Sequence, residues 1–162
     1  MTILGLDVGE RRIGVALAED DGHGTRPLVT LRRARTTAED ATELGALIGR
    51  HRATEIVVGL PLEASGSEGT QAALTRSWVQ AVAAELAARE VSIDWTWQDE
   101  RLTSHLAEGR LGPMRRGRSG GPPSKTQRDA YRARVDREAA AIILEDALTA
   151  RRLADHSMET GA

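Results

Sequence analysis

The chain has no cysteine, no phenylalanine, three tryptophans and one tyrosine, and Lys125 is the single lysine among its 22 basic residues. Without cysteine there is no disulfide, no thiolate metal site and no cysteine nucleophile, which suits a reducing, cytoplasmic compartment. An aromatic content of 2% disfavours recognition of nucleic acid by base stacking. No apolar stretch approaches the ~20 residues of a membrane span, and the start lacks the basic-then-apolar pattern of a signal peptide. No glycine-rich stretch has the spacing of a Walker-type phosphate loop, Gly66 to Gly69 included. The four histidines, His23, His51, His105 and His156, sit in polar contexts that frame no Ser/His/Asp nucleophile.

What is present is a soluble globular composition, 40% hydrophobic and 28% charged over 162 residues. That suits one domain, 2–152, followed by a flexible tail, 153–162. The net charge of −2 hides an asymmetry. Arg115, Arg116, Arg118, Lys125, Arg128, Arg132, Arg134 and Arg137 cluster against only Asp129 and Asp136, which leaves the remainder strongly acidic. Such a segment points to contact with a polyanion, or else to a solvated loop in an arginine-rich chain.

The apolar runs Thr2 to Val8 and Ile13 to Ala18 flank Gly9-Glu10-Arg11-Arg12 and predict a tight hairpin. Arg26 to Leu31 predicts a third strand after the polar turn Asp20 to Gly24. Thr36 or Thr37 can cap a helix running to about His51, with Leu44, Leu47 and Ile48 on its apolar face. Glu55 to Pro61 predicts a buried parallel strand. A small-residue loop, Pro61 to Gly69, follows at its carboxyl end, where α/β sheets place ligand crevices. A helix from about Thr70 to Arg89 is expected to bury Leu74, Trp78, Val82 and Leu86. The alternating run Val91 to Trp97 predicts a strand with Trp95 and Trp97 in the core rather than as stacking platforms. A short helix from Thr103 or Ser104 to about Leu111, a mobile loop over 112–129 and a final helix from about Ala130 to Arg152 complete the chain. The final helix would place Asp136, Ala140, Ile143, Leu144 and Ala147 on one face. The expected architecture is α/β: a mixed five-stranded sheet, three antiparallel strands then two parallel ones, flanked by helices.

Three acidic positions stand out in this frame. Asp7 interrupts the first apolar run, and a carboxylate there is costly to bury unless a cation or donor satisfies it. It either caps the following turn through the amides of Gly9 or Glu10, or carries chemistry. Asp99 and Glu100 end the last strand, and alternation lets only one of them reach the edge shared with Asp7; Glu100 could instead cap the next helix. Asp136 lies on the inward face of the last helix, unless it only pairs with Arg132 one turn earlier. Carboxylates that converge repel, and hard divalent cations with oxygen ligands resolve the repulsion. A pair of such ions can activate water and steady the leaving oxygen of a phosphodiester.

Four ordered motifs then carry a resemblance: Leu6-Asp7-Val8-Gly9 with Arg11 to Ala16, Ile56 to Leu62 with Gly66 to Gly69, Asp99 to Thr103 with Ala107-Glu108, and Val135 to Leu144. Over about residues 2 to 148 the chain resembles the YqgF/RuvX proteins of the ribonuclease H-like superfamily, known as Holliday-junction resolvase-like proteins or as pre-16S ribosomal RNA nucleases. The resemblance implies the ribonuclease H-like fold, a divalent-metal nuclease, and catalytic, metal-binding acids at Asp7, Glu100 and Asp136. Mg²⁺ or Mn²⁺, as two ions, is the expected cofactor. Arg11, Arg12, Arg101, Arg115, Arg116, Arg118, Lys125, Arg128 and Arg132 would hold phosphates, with Ser65 and Ser67 on the rim. The expected function is processing of the pre-16S ribosomal RNA 5′ end. The alternatives are a resolvase-like endonuclease on branched DNA, which needs a two-fold homodimer, and a non-catalytic nucleic-acid-binding protein.

Overall fold

A computed structural model of the chain describes residues 1–19, 24–100, 103–117 and 119–159. Of the expected Asp20 to Gly24 turn only Gly24 falls inside those residues. Five strands, β1 (Thr2–Val8), β2 (Arg12–Glu19), β3 (Thr25–Arg32), β4 (Glu55–Leu60) and β5 (Asp94–Asp99), form one sheet in the order β3-β2-β1-β4-β5. The first three are antiparallel neighbours, and β1, β4 and β5 run parallel, as the sequence predicts. Pro27 lies beside a register shift on the edge strand β3, where its missing N–H costs no ladder bond.

Strand alternation divides the core in two. Leu4, Leu6, Ile13, Val15, Leu17, Ile56 and Val58 pack against α1 (Thr37–His51) and α2 (Thr70–Ala88) on one face. Ile3, Ala16, Ala18 and Val57 pack on the other against α4 (Lys125–Glu159). Helix α3 (Thr103–Leu111) lies on α4 through Ala107, Val135, Ala139 and Ile142. Helix α1 starts where the sequence places it, because Thr36 and Glu39 close a reciprocal capping box. Among the described residues no helix is long and apolar enough to cross a membrane.

Four expectations are corrected. Leu74 is 54% exposed, and the buried stripe of α2 runs instead through Ala72, Thr75, Trp78, Val79, Val82 and Leu86. Strand β5 starts at Asp94, not Val91. Trp95 packs on the α1/α2 core, but Trp97 is 37% exposed under the Arg76 guanidinium, 4.5 Å from its ring centre. The last helix extends from Lys125 to Glu159, beyond both expected ends, so the connecting segment is only 112–124. The early start has a local cause. Ser124 Oγ accepts from Gln127 N at 3.1 Å, and Gln127 Oε1 accepts from Ser124 N at 2.8 Å, a second reciprocal cap.

Helix α4 lies close against the sheet because the strands beneath it carry small residues. A methyl group on Gly14 would stand 1.9 Å from the Asp136 carbonyl oxygen, and one on Gly5 would stand 2.7 Å from that of Ala140. The approach brings residue 136 over the Asp7/Gly14 register pair.

Candidate active site

Residues 3, 5 and 7 of β1 and residues 12, 14, 16 and 18 of β2 share the face covered by α4. Asp7 and Arg12 therefore project to the side on which Asp136 lies. Glu100 follows β5 directly and bonds back through its amide to the Leu60 carbonyl at 3.1 Å. Its carboxyl occupies the space over Gly59, where a side chain would meet Oε2 at 2.6 Å. The missing side chain at Gly59 is what lets Glu100 reach Asp7 across β4.

Asp7 and Glu100 are hydrogen-bonded to each other. Burial raises the pKa of Asp7 above the ordinary carboxylate range and the charge of Asp136 raises it further, while the bond from Glu100 and the charge of Arg12 oppose the rise. Burial also raises Glu100, and the Asp7 charge and the shared bond add to the effect. Two recessed carboxyls in contact cannot both ionise without help, so a proton or a cation must hold them together. The alternative role for Asp7 as a cap finds no support at Gly9, whose amide goes to the Arg12 carbonyl at 2.9 Å.

Asp136 is near enough to act on Asp7 electrostatically, but its carboxylate is bonded to Arg12, Nε to Oδ2 at 2.5 Å. Its partner is thus a residue of β2 and not Arg132. Among the described residues no three acidic or histidine side chains already surround a common point. Two of the three expected acids are together, and the third stands beside them in the grip of an arginine.

The surroundings carry both signs beside the acids and become basic further out. A cavity of about 440 Å³ is lined by Gly9, Glu10, Arg11, Arg12, Asp129, Arg132 and Asp136. A larger one of about 680 Å³ adjoins it and adds Arg32, Arg33 and Lys125. Four of the expected phosphate contacts, Arg11, Arg12, Lys125 and Arg132, are therefore gathered beside the acids. Arg115 and Arg116 are exposed next to Met114, which lines a small cavity with Arg132 and Asp136. The guanidinium of Arg128 is turned back onto the Pro123 carbonyl at 2.5 Å. Ser65 and Ser67 are exposed beyond β4, with their hydroxyls bonded to each other at 2.8 Å. Arg101 and Arg118 lie outside the described residues.

Sequence reasoning missed Arg32 and Arg33. Arg33 ties the hairpin turn to the helices. It donates to the Gly9 carbonyl at 3.0 Å and to the buried Asp40 at 3.2 Å, and it lies over the Trp78 ring. Asp40 also accepts from Trp78 Nε1 and Ala34 N, both at 2.8 Å. The available signal was the pair Arg32-Arg33 at the end of a strand that follows a basic hairpin.

Known proteins resemble this chain over nearly its whole length. The family model described as "RuvX: Holliday junction resolvase" matches residues 1–150. A protein of Chloroflexus aggregans named "Putative pre-16S rRNA nuclease" is 39% identical over 151 residues, 93% of this chain and 95% of that protein. A protein of the same name from an Anaeromyxobacter species is also 39% identical, over 93% of this chain and 98% of its own length. The structure of T. thermophilus RuvC in complex with a Holliday junction substrate aligns with a TM-score of 0.51 at 15% identity, covering 94% of this chain and 96% of that one. This last likeness is one of fold.

Proposed function

Because this chain belongs to the RuvX family, matched across residues 1–150, we propose that it is a divalent-metal-dependent nuclease that processes the 5′ end of pre-16S ribosomal RNA in the cytoplasm. The observation that carries the reading is the Asp7–Glu100 pair, two carboxyls in contact at the sheet edge with a third, Asp136, within electrostatic reach. The donor set fits Mg²⁺ or Mn²⁺. It offers only carboxylate oxygens, with no thiol or imidazole, and the raised proton affinities are those of a site that lacks countercharge. Asp7, Glu100 and Asp136 would hold one or two such ions, which supply the charge that lowers the pKa of an attacking water and steadies a leaving oxygen.

The chain's own groups do the rest. Arg11, Arg12, Arg132 and Lys125 bind backbone phosphates beside the acids, with Arg115, Arg116 and Arg128 extending the contact along the loop and the start of α4. Arg101 and Arg118, and Ser65 and Ser67 at the rim, complete the proposed interface. Such contacts position a strand without reading its sequence. The choice of ribosomal RNA precursor rests on the names of the relatives, which cover nearly the whole chain.

The test is cleavage of a labelled panel comprising a pre-16S fragment, single-stranded RNA and DNA, and a four-way junction, each with Mg²⁺, Mn²⁺ or EDTA. Metal-dependent cutting of the pre-16S fragment is expected. Paired nicks in the junction by a dimer would replace RNA with branched DNA as the substrate. Salt-sensitive binding with no cutting at all would overturn the enzyme reading.

A further inference from the structure

We infer that Arg12 is a positioning residue with two alternating partners: it holds Asp136 until a divalent ion claims that carboxylate, and it then turns to a substrate phosphate. The inference rests on the metal-site reading above and adds a coupling between ion and nucleic acid that runs through one guanidinium.

Two observations carry it. Arg12 and Asp136 bond at 2.5 Å across 124 positions of sequence, and their side chains remain 30% and 22% exposed, so the pair can part without opening the core. Arg12 also lines both cavities, the one that holds Asp136 and the larger one that holds Arg32 and Lys125, so it can pass from the carboxylate to the more basic space. A divalent ion among the carboxylates competes with Arg12 for Asp136 and repels its guanidinium.

Once displaced into the larger cavity, Arg12 stands with Arg11, Arg32, Arg33 and Lys125 against Glu10 and Asp129, an excess of positive charge that favours an anion. Its neighbour Arg33 cannot move in this way, being committed to Asp40, the Gly9 carbonyl and the Trp78 ring. By linkage, a phosphate that draws Arg12 away frees Asp136, so each ligand strengthens the other by the same factor.

The experiment measures Mn²⁺ affinity by calorimetry without nucleic acid, and the affinity for a labelled 2′-O-methyl RNA strand in Mn²⁺ and in EDTA. It compares wild type, Arg12→Gln, Arg12→Lys and Asp7→Asn. Arg12→Gln is expected to bind Mn²⁺ about fivefold more tightly, the scale of losing one partly exposed ion pair. It should bind RNA more weakly than wild type in Mn²⁺ but equally in EDTA, where Asp136 already engages the wild-type arginine. Arg12→Lys, which keeps the charge but not the planar fork, should fall between, and it carries the test if the glutamine variant melts early. Unchanged or weaker Mn²⁺ binding in Arg12→Gln, or an equal loss of RNA affinity in EDTA, overturns the inference while leaving the metal site standing. Mn²⁺ binding that is indifferent to Asp7→Asn refutes the metal site itself, and the coupling with it.

Discussion

At the residue scale the site is defined by carboxyls that keep their protons too long. The pKa values of Asp7 and Glu100 are raised in the folded chain, so the native state binds more protons than the unfolded chain once pH exceeds about 4. Stability must then fall as pH rises from there through the raised values. Glu55 and Glu145, lowered by Arg151 and Arg110, work in the opposite sense and lose their contribution as pH falls. The difference between wild type and Glu100→Gln isolates the site. In EDTA, urea melts are expected to show wild type losing stability relative to Glu100→Gln between pH 5 and 8, and Mn²⁺ at pH 8 should restore it. A pH-independent difference would mean that the pair is not strained. Asp7 was legible in the sequence because it breaks an apolar run, and Glu100 because it ends a strand beside Asp99. The Arg12–Asp136 bond was not, since no local pattern links residues 124 positions apart.

At the element scale the distance between α4 and the sheet is decisive, and Gly5 and Gly14 set it, while Gly59 makes room for Glu100. Gly14→Ala would place a methyl group 1.9 Å from backbone oxygen of Asp136, which cannot yield without the helix moving. Gly59→Ala meets only side-chain ends, Ile143 Cδ1 at 2.5 Å and Glu100 Oε2 at 2.6 Å. Both should abolish activity, with Gly14→Ala at the upper end of the ~1–3 kcal/mol cost of overpacking and Gly59→Ala at the lower end, as measured by urea melts. Equal activity to wild type in Gly59→Ala would show that Glu100 need not occupy that space. The start of α4 gives a separate prediction. Ser124→Ala should cost about 1 kcal/mol and weaken RNA binding, because Lys125, Arg128 and Arg132 stand on the turns that this cap secures. Unchanged RNA affinity in that variant would remove the first turns of α4 from the interface.

The cap at Ser124 was readable as Ser-x-x-Gln, but the surrounding glycines and prolines pointed to a loop. The error at Leu74 came from spacing every contact four residues apart, whereas the stripe on α2 alternates three and four. Trp97 followed the strand's alternation correctly. It lies near the end of the edge strand β5, where Arg76 rather than the core covers its face.

At the scale of the whole molecule the fold converts a charge asymmetry along the chain into one in space. Lys125 and Arg132 from the basic run of a net-acidic protein are brought by α4 beside the hairpin arginines, next to Asp136. The strands, and Asp7, Asp99 or Glu100, and Asp136 as candidates, could be read from local patterns, whereas the choice of Glu100 over Asp99 came from the family resemblance. The closeness of helix to sheet depends on which glycine meets which carbonyl, a long-range fact.

The proposed phosphodiester cleavage depends on Asp7 as a metal ligand. The most direct measurement is single-turnover cleavage of a pre-16S fragment in Mn²⁺ by wild type and Asp7→Asn, with both shown to be folded by thermal melts. Asp7→Asn is expected to be about a hundredfold slower or worse, the loss that follows when several kcal/mol of charge stabilisation go missing. Cleavage by Asp7→Asn at the wild-type rate, or by wild type undiminished in EDTA, would contradict it.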